Sequence, residues 1–516
     1  MRVKATKWLG VALASTLILS GCSAQGGSPD NSTGPEGAPT SGGELRMVQE
    51  EEPVGFSPTA VTDNPSIWTL QLVLDTLVRT SQDGSDVEPS LATEWKQSED
   101  GLAWTFNLRE GVTFSDGSPF TSADVKFSLD RATDPELPYG SLNASIESIE
   151  TPDDFTVVIT TSQVWAPLTA VLALFANSIV PKDFGGMSES EFSENPIGTG
   201  PFMLETWKKG QTLKLIKNPN YWEEGLPYLD SVVFNIVADS NTRALQLSGG
   251  QADINQFPPY STLEGLRSTP GVTVGQFPSS RLDYLAFNNQ EGPLADQNVR
   301  LAISHAIDRE AIVNAVTYGN STPAGSYLPP AVWGHDETLE APKFSLEAAK
   351  ESLAESDYPD GFETTIMVLA GNADGAAIAQ IVQQSLSQIN IKVGINTLDP
   401  SAFSTARSNH NYAMSVYYVT TDIMDPDQLT TFMTNDRVKA NWKDPHLIDL
   451  ATRAAQTVDR GERETLYHEI QQAISDQAII APLFYSDSIF AISDKVHGFE
   501  TSLTGSYSIP RVWISK

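Results

Sequence analysis

The chain carries 65 acidic against 32 basic side chains in 516 residues, a formal net charge of −33. That length exceeds what one hydrophobic core serves, so two or three lobes are expected, and 40% apolar content excludes a wholly disordered chain. The negative charge repels phosphate backbones and argues against a nucleic-acid partner. A single cysteine excludes an intramolecular disulfide and a thiolate metal cluster.

The first element is a leader. Arg2, Lys4 and Lys7 precede an apolar run from Trp8 to Leu19, too short to span a bilayer comfortably and of secretory-signal form. The run ends in Leu19-Ser20-Gly21-Cys22, which resembles the lipobox of bacterial lipoproteins. That resemblance implies removal of residues 1–21 and lipidation of the Cys22 thiol. Ser23 to Gly43 has almost no apolar side chains and cannot offset its ordering entropy by burial. Residues 22–43 are therefore expected to form a disordered tether reaching on the order of 25 Å. The body should start near Glu44, held at the extracytoplasmic face of the cell membrane, and no later run is apolar enough to span a bilayer.

Within the body, Trp104 to Leu108 alternates as a half-buried strand. After the Asp116-Gly117 turn, Thr121 or Ser122 can cap a helix that buries Val125, Leu129 and Ala132. Phe155 to Thr160, Leu213 to Ile216 and Val232 to Val237 are strands rich in β-branched residues. The spacing predicts one helix over 297–316, capped by Asp296 and burying Val299, Ala302, Ile303, Ala306, Ile307 and Val313. Thr364 to Leu369, a helix marked by Ile378, Val382 and Leu386, and Ile391 to Ile395 form a βαβ unit with parallel strands. The class is α/β with mixed sheets.

Signatures of catalysis fail. There is no Gly-x-Ser-x-Gly elbow, and Gly198-Thr199-Gly200-Pro201 lacks the third glycine of a dinucleotide loop. His468-Glu469 has no histidine three residues on, so the zinc-protease helix is absent. His305 reads as a surface or half-buried residue. No cofactor and no metal site are expected, and the chain is read as a binder rather than an enzyme.

Four stretches, in order, resemble the extracytoplasmic solute-binding proteins of family 5, the peptide, nickel and related binders of ABC importers. They are Leu91 to Trp95 with Asp100 to Val125; Gly198 to Pro201 with Asn218 to Trp222 and Gly250 to Asp253; Phe287-Asn288 with Val299-Arg300, Ala306 to Arg309 and Gly319; and Asp422 to Pro426 after the βαβ unit. Their residues also have plain structural roles. Trp95, Trp104, Phe106 and Phe114 suit a core, Asn218 to Asn220 suits a turn, and Arg300 and Arg309 are expected to pair with carboxylates near their helix.

The resemblance implies a two-lobed periplasmic-binding-protein-like fold, of the class II, cluster C type, with mixed sheets. The first lobe would span 44–283, with an inserted subdomain at about 86–195, and the second 284–489. Residues 490–516 would return to the first lobe, with crossings near Asn288 and Ser486. It further implies a lipid-anchored receptor that captures a peptide between closing lobes and delivers it to ABC permease and ATPase subunits, working as a monomer. A nickel chelate, an oligosaccharide or an opine-like conjugate is the alternative solute. A surface hydrolase, or a signalling receptor without transport, is the alternative class.

Among site residues, the resemblance gives most weight to Asp422, which matches the aspartate that takes the α-ammonium in peptide-binding relatives. Burying a carboxylate is costly unless a cation pairs with it, and an ammonium does so through charge-assisted bonds. A turn aspartate bonding local amides is the competing role. Asp425, followed by Pro426, suits a helix N-cap. Those relatives carry a tryptophan where this chain has Val419. Tyr417 and Tyr418 could supply the aromatic wall, only one of them facing inward, with Thr421 beside them. Among cations between Leu282 and Asp422, Arg407 is the candidate for a peptide carboxylate. Phe56, and Trp333 in the loop from Tyr327, complete the ligand-binding candidates, with core packing as their competing role.

Overall fold

The computed structural model describes residues 38–81 and 84–515. Cys22, the leader and the tether up to Gly37 lie outside the described residues. An eleven-stranded mixed sheet runs through both halves of the body. Across it lie Lys392–Leu398, Glu363–Leu369, Met414–Val419, Val272–Phe287, Ile480–Ser493, Ile254–Gln256, Glu44–Gln49, Ser231–Ile236, Thr212–Lys217 and Phe202–Lys208, while Ser321–Pro323 pairs alongside Ile480–Ser493. Glu363–Leu369 and Lys392–Leu398 pair in parallel around helix Ala373–Ser387, the βαβ unit that the hydrophobic period announces.

Two strands, Val272–Phe287 and Ile480–Ser493, are long enough to serve both lobes. They pair antiparallel, with a register break between Phe277 and Arg281. Apolar packing changes partner there. Phe277 and Phe490 pack in a first core with Leu45, Met47, Phe202 and Phe234. From Leu282 onward the same strand feeds two other cores. Leu285 and Phe287 join Ile303, Ile366 and Val382 on one face, while Leu282, Tyr284 and Ala286 join Leu429, Leu450 and Tyr467 on the other. A period of two thus divides one strand between two cores. Just past the end of strand Val272–Phe287, the Asn288 amide donates to the carbonyls of His410 and Tyr412.

The first lobe also carries a separate four-stranded antiparallel sheet, ordered Ala92–Gln97, Ala103–Leu108, Thr156–Thr161 and Ile146–Asp153, against which helix Ser122–Ala132 packs. Phe106 and Phe114 are buried and Trp95 and Trp104 partly so, as core residues. The Gly198 to Pro201 motif is explained by backbone approach: a Cβ on Gly198 would lie 1.9 Å from the Val73 carbonyl oxygen. Only glycine fits that contact.

Two expectations need correction. The stretch 297–316 is two helices, Gln297–Ala306 and Arg309–Val316, because Ile307 is extended and the Asp308 carboxylate caps the second by accepting from the Ala311 amide. Arg300 and Arg309 do not pair with carboxylates. Arg300 donates to the carbonyls of Leu294, Ala295, Gln477 and Ala478, and Arg309 to those of Ser304, Pro342 and Pro482. With carbonyl dipoles in place of counter-charges, burial pushes both guanidiniums down to about 10.

Candidate functional site

Residues Tyr418 to Met424 leave the end of strand Met414–Val419 and run between two cavities before helix Pro426–Thr434 begins. The larger, of 620 Å³, is walled by Tyr418 and Thr420 of this segment, by Trp68, Phe257 and Tyr260 of the first lobe, and by Arg281 at the register break. The smaller, of 210 Å³, is walled by Asp422 and Met424, with Asp75 and Gln71 opposite and the hydroxyl-rich loop Ser502 to Tyr507 between. Thr504 touches both. The larger cavity is enclosed by parts of the chain that belong to different cores, whereas the core residues on the smaller one, Leu72, Leu74 and Tyr507, all belong to the first.

Local structure holds Asp422 in place. Asp425 caps helix Pro426–Thr434, accepting from the Asp427 amide at 3.0 Å, with Pro426 in the first turn. That fixes Gln428 one turn in. Its side-chain oxygen accepts from the backbone amides of Asp422 (2.6 Å) and Ile423 (3.1 Å), and its amide donates to the Asp422 carboxylate at 2.9 Å. Asp422 is half-buried, and burial pushes its carboxyl above the usual carboxylate range, the Gln428 bond opposing this. Among the described residues no Lys or Arg forms an ion pair with it. Across the small cavity, Asp75 accepts from Thr199 and Trp222, each at 2.9 Å, and burial raises it too. Arg79 lines the same cavity and pairs with Glu88 at 2.6 Å and Glu223 at 2.5 Å.

The other sequence candidates separate. Tyr418 lines the larger cavity with Arg281 4.1 Å over its ring. Tyr417 turns away, stacking on Phe403 and carrying Arg407 3.5 Å over its ring. Arg407 is buried there, donating to the Val438 carbonyl at 3.0 Å, and does not reach either cavity. Thr421 is fully buried, its hydroxyl bonded to the Ile423 carbonyl and to Gln428. Phe56 is a core residue, edge-on to Trp207 at 5.7 Å. Trp333 packs on Tyr467, flanked by the guanidiniums of Arg460 (4.6 Å) and Arg463 (4.9 Å). These five side chains, Tyr417, Arg407, Thr421, Phe56 and Trp333, are engaged by their neighbours and line neither cavity.

Sequence reasoning missed Arg281, which stands one residue before the window searched for cations. Its guanidinium meets Asp283 at 2.8 and 2.7 Å, and Ser486 donates to the same carboxylate at 3.0 Å. It also missed Asp374 and Asp487, both on the larger cavity. An aspartate inside the apolar strand Ile480–Ser493 was the available signal for the latter.

Segments 437–456 and 141–166 meet through hydrogen bonds. Arg437 donates to Ser141 at 2.9 Å, Gln456 to Gln163 at 2.9 Å, and the Ala166 amide to the Ala455 carbonyl at 2.8 Å. Among the described residues no helix is long and apolar enough to cross a membrane.

Comparison with known proteins accords with this geometry. The model of the bacterial extracellular solute-binding proteins, family 5, matches residues 86–441. Heme-binding protein A of Haemophilus influenzae is 28% identical over 540 residues, 98% of each chain. The glutathione-binding protein GsiB of Salmonella typhi is 31% identical over 437 residues, 80% of this chain and 83% of its own. The ABC transporter-associated periplasmic binding protein DppA from Helicobacter pylori, solved with the peptide STSA, superposes with a TM-score of 0.80 at 30% identity, covering 92% of this chain and 99% of its own. These relatives are substrate-binding components rather than enzymes. On this evidence the two-lobed chain belongs to the bacterial extracellular solute-binding proteins of family 5.

Proposed function

We propose that this protein is the lipid-anchored receptor of an ABC importer and captures peptides between its lobes. The observation that carries the reading is Asp422, a half-buried carboxylate with no counter-cation among the described residues, standing on a cavity between lobes. A peptide α-ammonium supplies the missing charge. Relatives named for heme and for glutathione make those ligands the alternatives. A heme brings two propionates into a cleft rich in carboxylates, and its iron would find Met424 and tyrosines on these walls rather than histidine or cysteine. Glutathione brings two carboxylates, and the arginines on the two cavities are already paired, Arg281 with Asp283 and Arg79 with Glu88 and Glu223. Both alternatives fit this acidic cleft less well than a peptide does.

We place the hinge at 278–281 and 486–489, where both long strands pass from one core to another. A ligand that touches both lobes favours the closed form, the shape a permease would read. Mass spectrometry of ligand released by denaturing protein purified from its native cells tests the substrate class. The expected result is peptides with free amino termini. A porphyrin, a sugar or an opine would overturn the peptide reading.

Anchoring rests on Leu19 to Cys22. One lipidated thiol is the only anchor proposed, so Cys22→Ala should move the protein from the membrane fraction to the soluble extracytoplasmic fraction. Retention on membranes after a salt wash would contradict it.

A further inference from the structure

We infer that the 620 Å³ cavity takes a basic side chain of the bound ligand, so that this receptor selects peptides containing lysine or arginine. The inference rests on the peptide reading and goes beyond it to the sequence of the peptide.

The walls favour a cation in two independent ways. Five aromatic side chains, Trp68, Phe257, Tyr260, Tyr318 and Tyr418, line the cavity. Of these, Phe257, Tyr318 and Tyr418 are substantially exposed in the ligand-free protein. Phe257 and Tyr318 adopt positive φ of 46° and 53°, a conformation costly for bulky residues. One face of Tyr418 already carries Arg281, so the exposed rings of Phe257 and Tyr318 are the ones open to an ammonium or guanidinium and its methylene stem.

Charge is the second. Four ionisable side chains other than tyrosines stand in or beside the cavity. Arg281 and Asp283 neutralise each other through two hydrogen bonds, at 2.8 and 2.7 Å. Asp374, in the first turn of helix Ala373–Ser387, and Asp487, in strand Ile480–Ser493, line the cavity with no ion-pair or hydrogen-bond partner for their carboxylates among the described residues. Both residues are exposed in the ligand-free protein, and the cavity walls around them raise both carboxyls; the field of Arg281 opposes this at Asp374, and no charge opposes it at Asp487. A neutral side chain filling the cavity would desolvate two carboxylates without pairing either. An acidic one would add a third, or would have to take Arg281 from Asp283 and strand that carboxylate instead. A lysine or arginine meets both carboxylates and the rings together.

The competing account of Asp374 is that it only complements its helix N-terminus. That account does not extend to Asp487, which sits in a strand, nor to the rings around it.

The test is calorimetric titration of the full chain with tripeptides of alanine carrying one lysine, norleucine or glutamate at each of the three positions. At one position lysine should bind at least about tenfold tighter than norleucine, with glutamate weakest. In the Asp374→Asn/Asp487→Asn variant the lysine advantage should fall to within about twofold, with lysine peptides binding more weakly and norleucine peptides at least as tightly as before. Retained norleucine binding, together with an unchanged circular dichroism spectrum, shows that the variant is folded. Norleucine equal to lysine at every position, or a lysine advantage that survives in the variant, would overturn the inference and leave the peptide reading intact. Failure of all nine peptides to bind would overturn both.

Discussion

Asp422→Asn is expected to weaken binding of a peptide with a free amino terminus by about two to three and a half decades. The asparagine keeps the size of the side chain and a hydrogen bond to Gln428, whose amide donates to the native carboxylate at 2.9 Å. What it removes is one charge of a pair formed in a partly dry cavity. Breaking one side of such a pair strands the other charge at a cost of roughly 3–5 kcal/mol. A turn aspartate would behave differently, changing stability a little and affinity by less than about threefold. The pH dependence provides a second readout. Burial holds the Asp422 carboxyl above the usual range in the free protein. An arriving ammonium favours the ionised form, so binding releases a proton wherever the free carboxyl is protonated. Affinity should therefore fall as pH drops through that raised value. The Asp422→Asn protein should show no such slope.

The second large effect lies behind the site. Arg463 Nη2 meets Asp425 Oδ1 at 2.7 Å, with both side chains about 5% exposed (6% and 5%). Arg463 also donates to the Ala454 carbonyl at 3.1 Å and to the Tyr467 hydroxyl at 2.9 Å. Arg463→Met leaves the Asp425 carboxylate buried and uncompensated, and should cost about 3–5 kcal/mol in urea unfolding. Burial, with the Asp425 charge, pushes Asp427 up to about 7, and Arg463 opposes that shift. Loss of Arg463 therefore strains both acids at the start of helix Pro426–Thr434. Because that helix carries Gln428, peptide affinity should fall along with stability. Adding Asp425→Asn to Arg463→Met should recover part of the loss, since the stranded charge is then gone. A loss below 1 kcal/mol for Arg463→Met alone would contradict the assignment.

How much of this was legible in the sequence depends on the range of each interaction. Local signals read well. Asp296 and Asp425 cap helices as their spacing implies, and the βαβ unit lies where its apolar period puts it. The break at Ile307 was hidden because the apolar face continues through it: Ile303, Ile307 and Val313 are buried on both sides. Only the Asp308 cap marks the new start. Long-range partners were not legible. Nothing near Arg300 in the chain points to the carbonyls of Gln477 and Ala478 that hold it.

The site shows the same division. A resemblance located Asp422, whereas the walls around it come from segments as distant as Gln71 and Tyr507. Arg407 and Trp333 drew attention as a cation and a large ring near the expected cleft. In the fold each satisfies the other kind of group, Arg407 over Tyr417 and Trp333 under two arginines. Such pairings consume residues that composition alone offers to a ligand.

The central claim is that Asp422 reads the amino terminus of a peptide, and a double cycle measures it most directly. One bound peptide is compared with its N-acetylated form, in the wild type and in Asp422→Asn, by calorimetry at neutral pH. Acetylation removes the ammonium and nothing else that could pair with the carboxylate. The account predicts a loss of at least two decades on acetylation in the wild type and less than about threefold in the variant, a coupling that isolates the ion pair. Equal losses in both proteins would contradict it and place recognition of the amine elsewhere in the cleft.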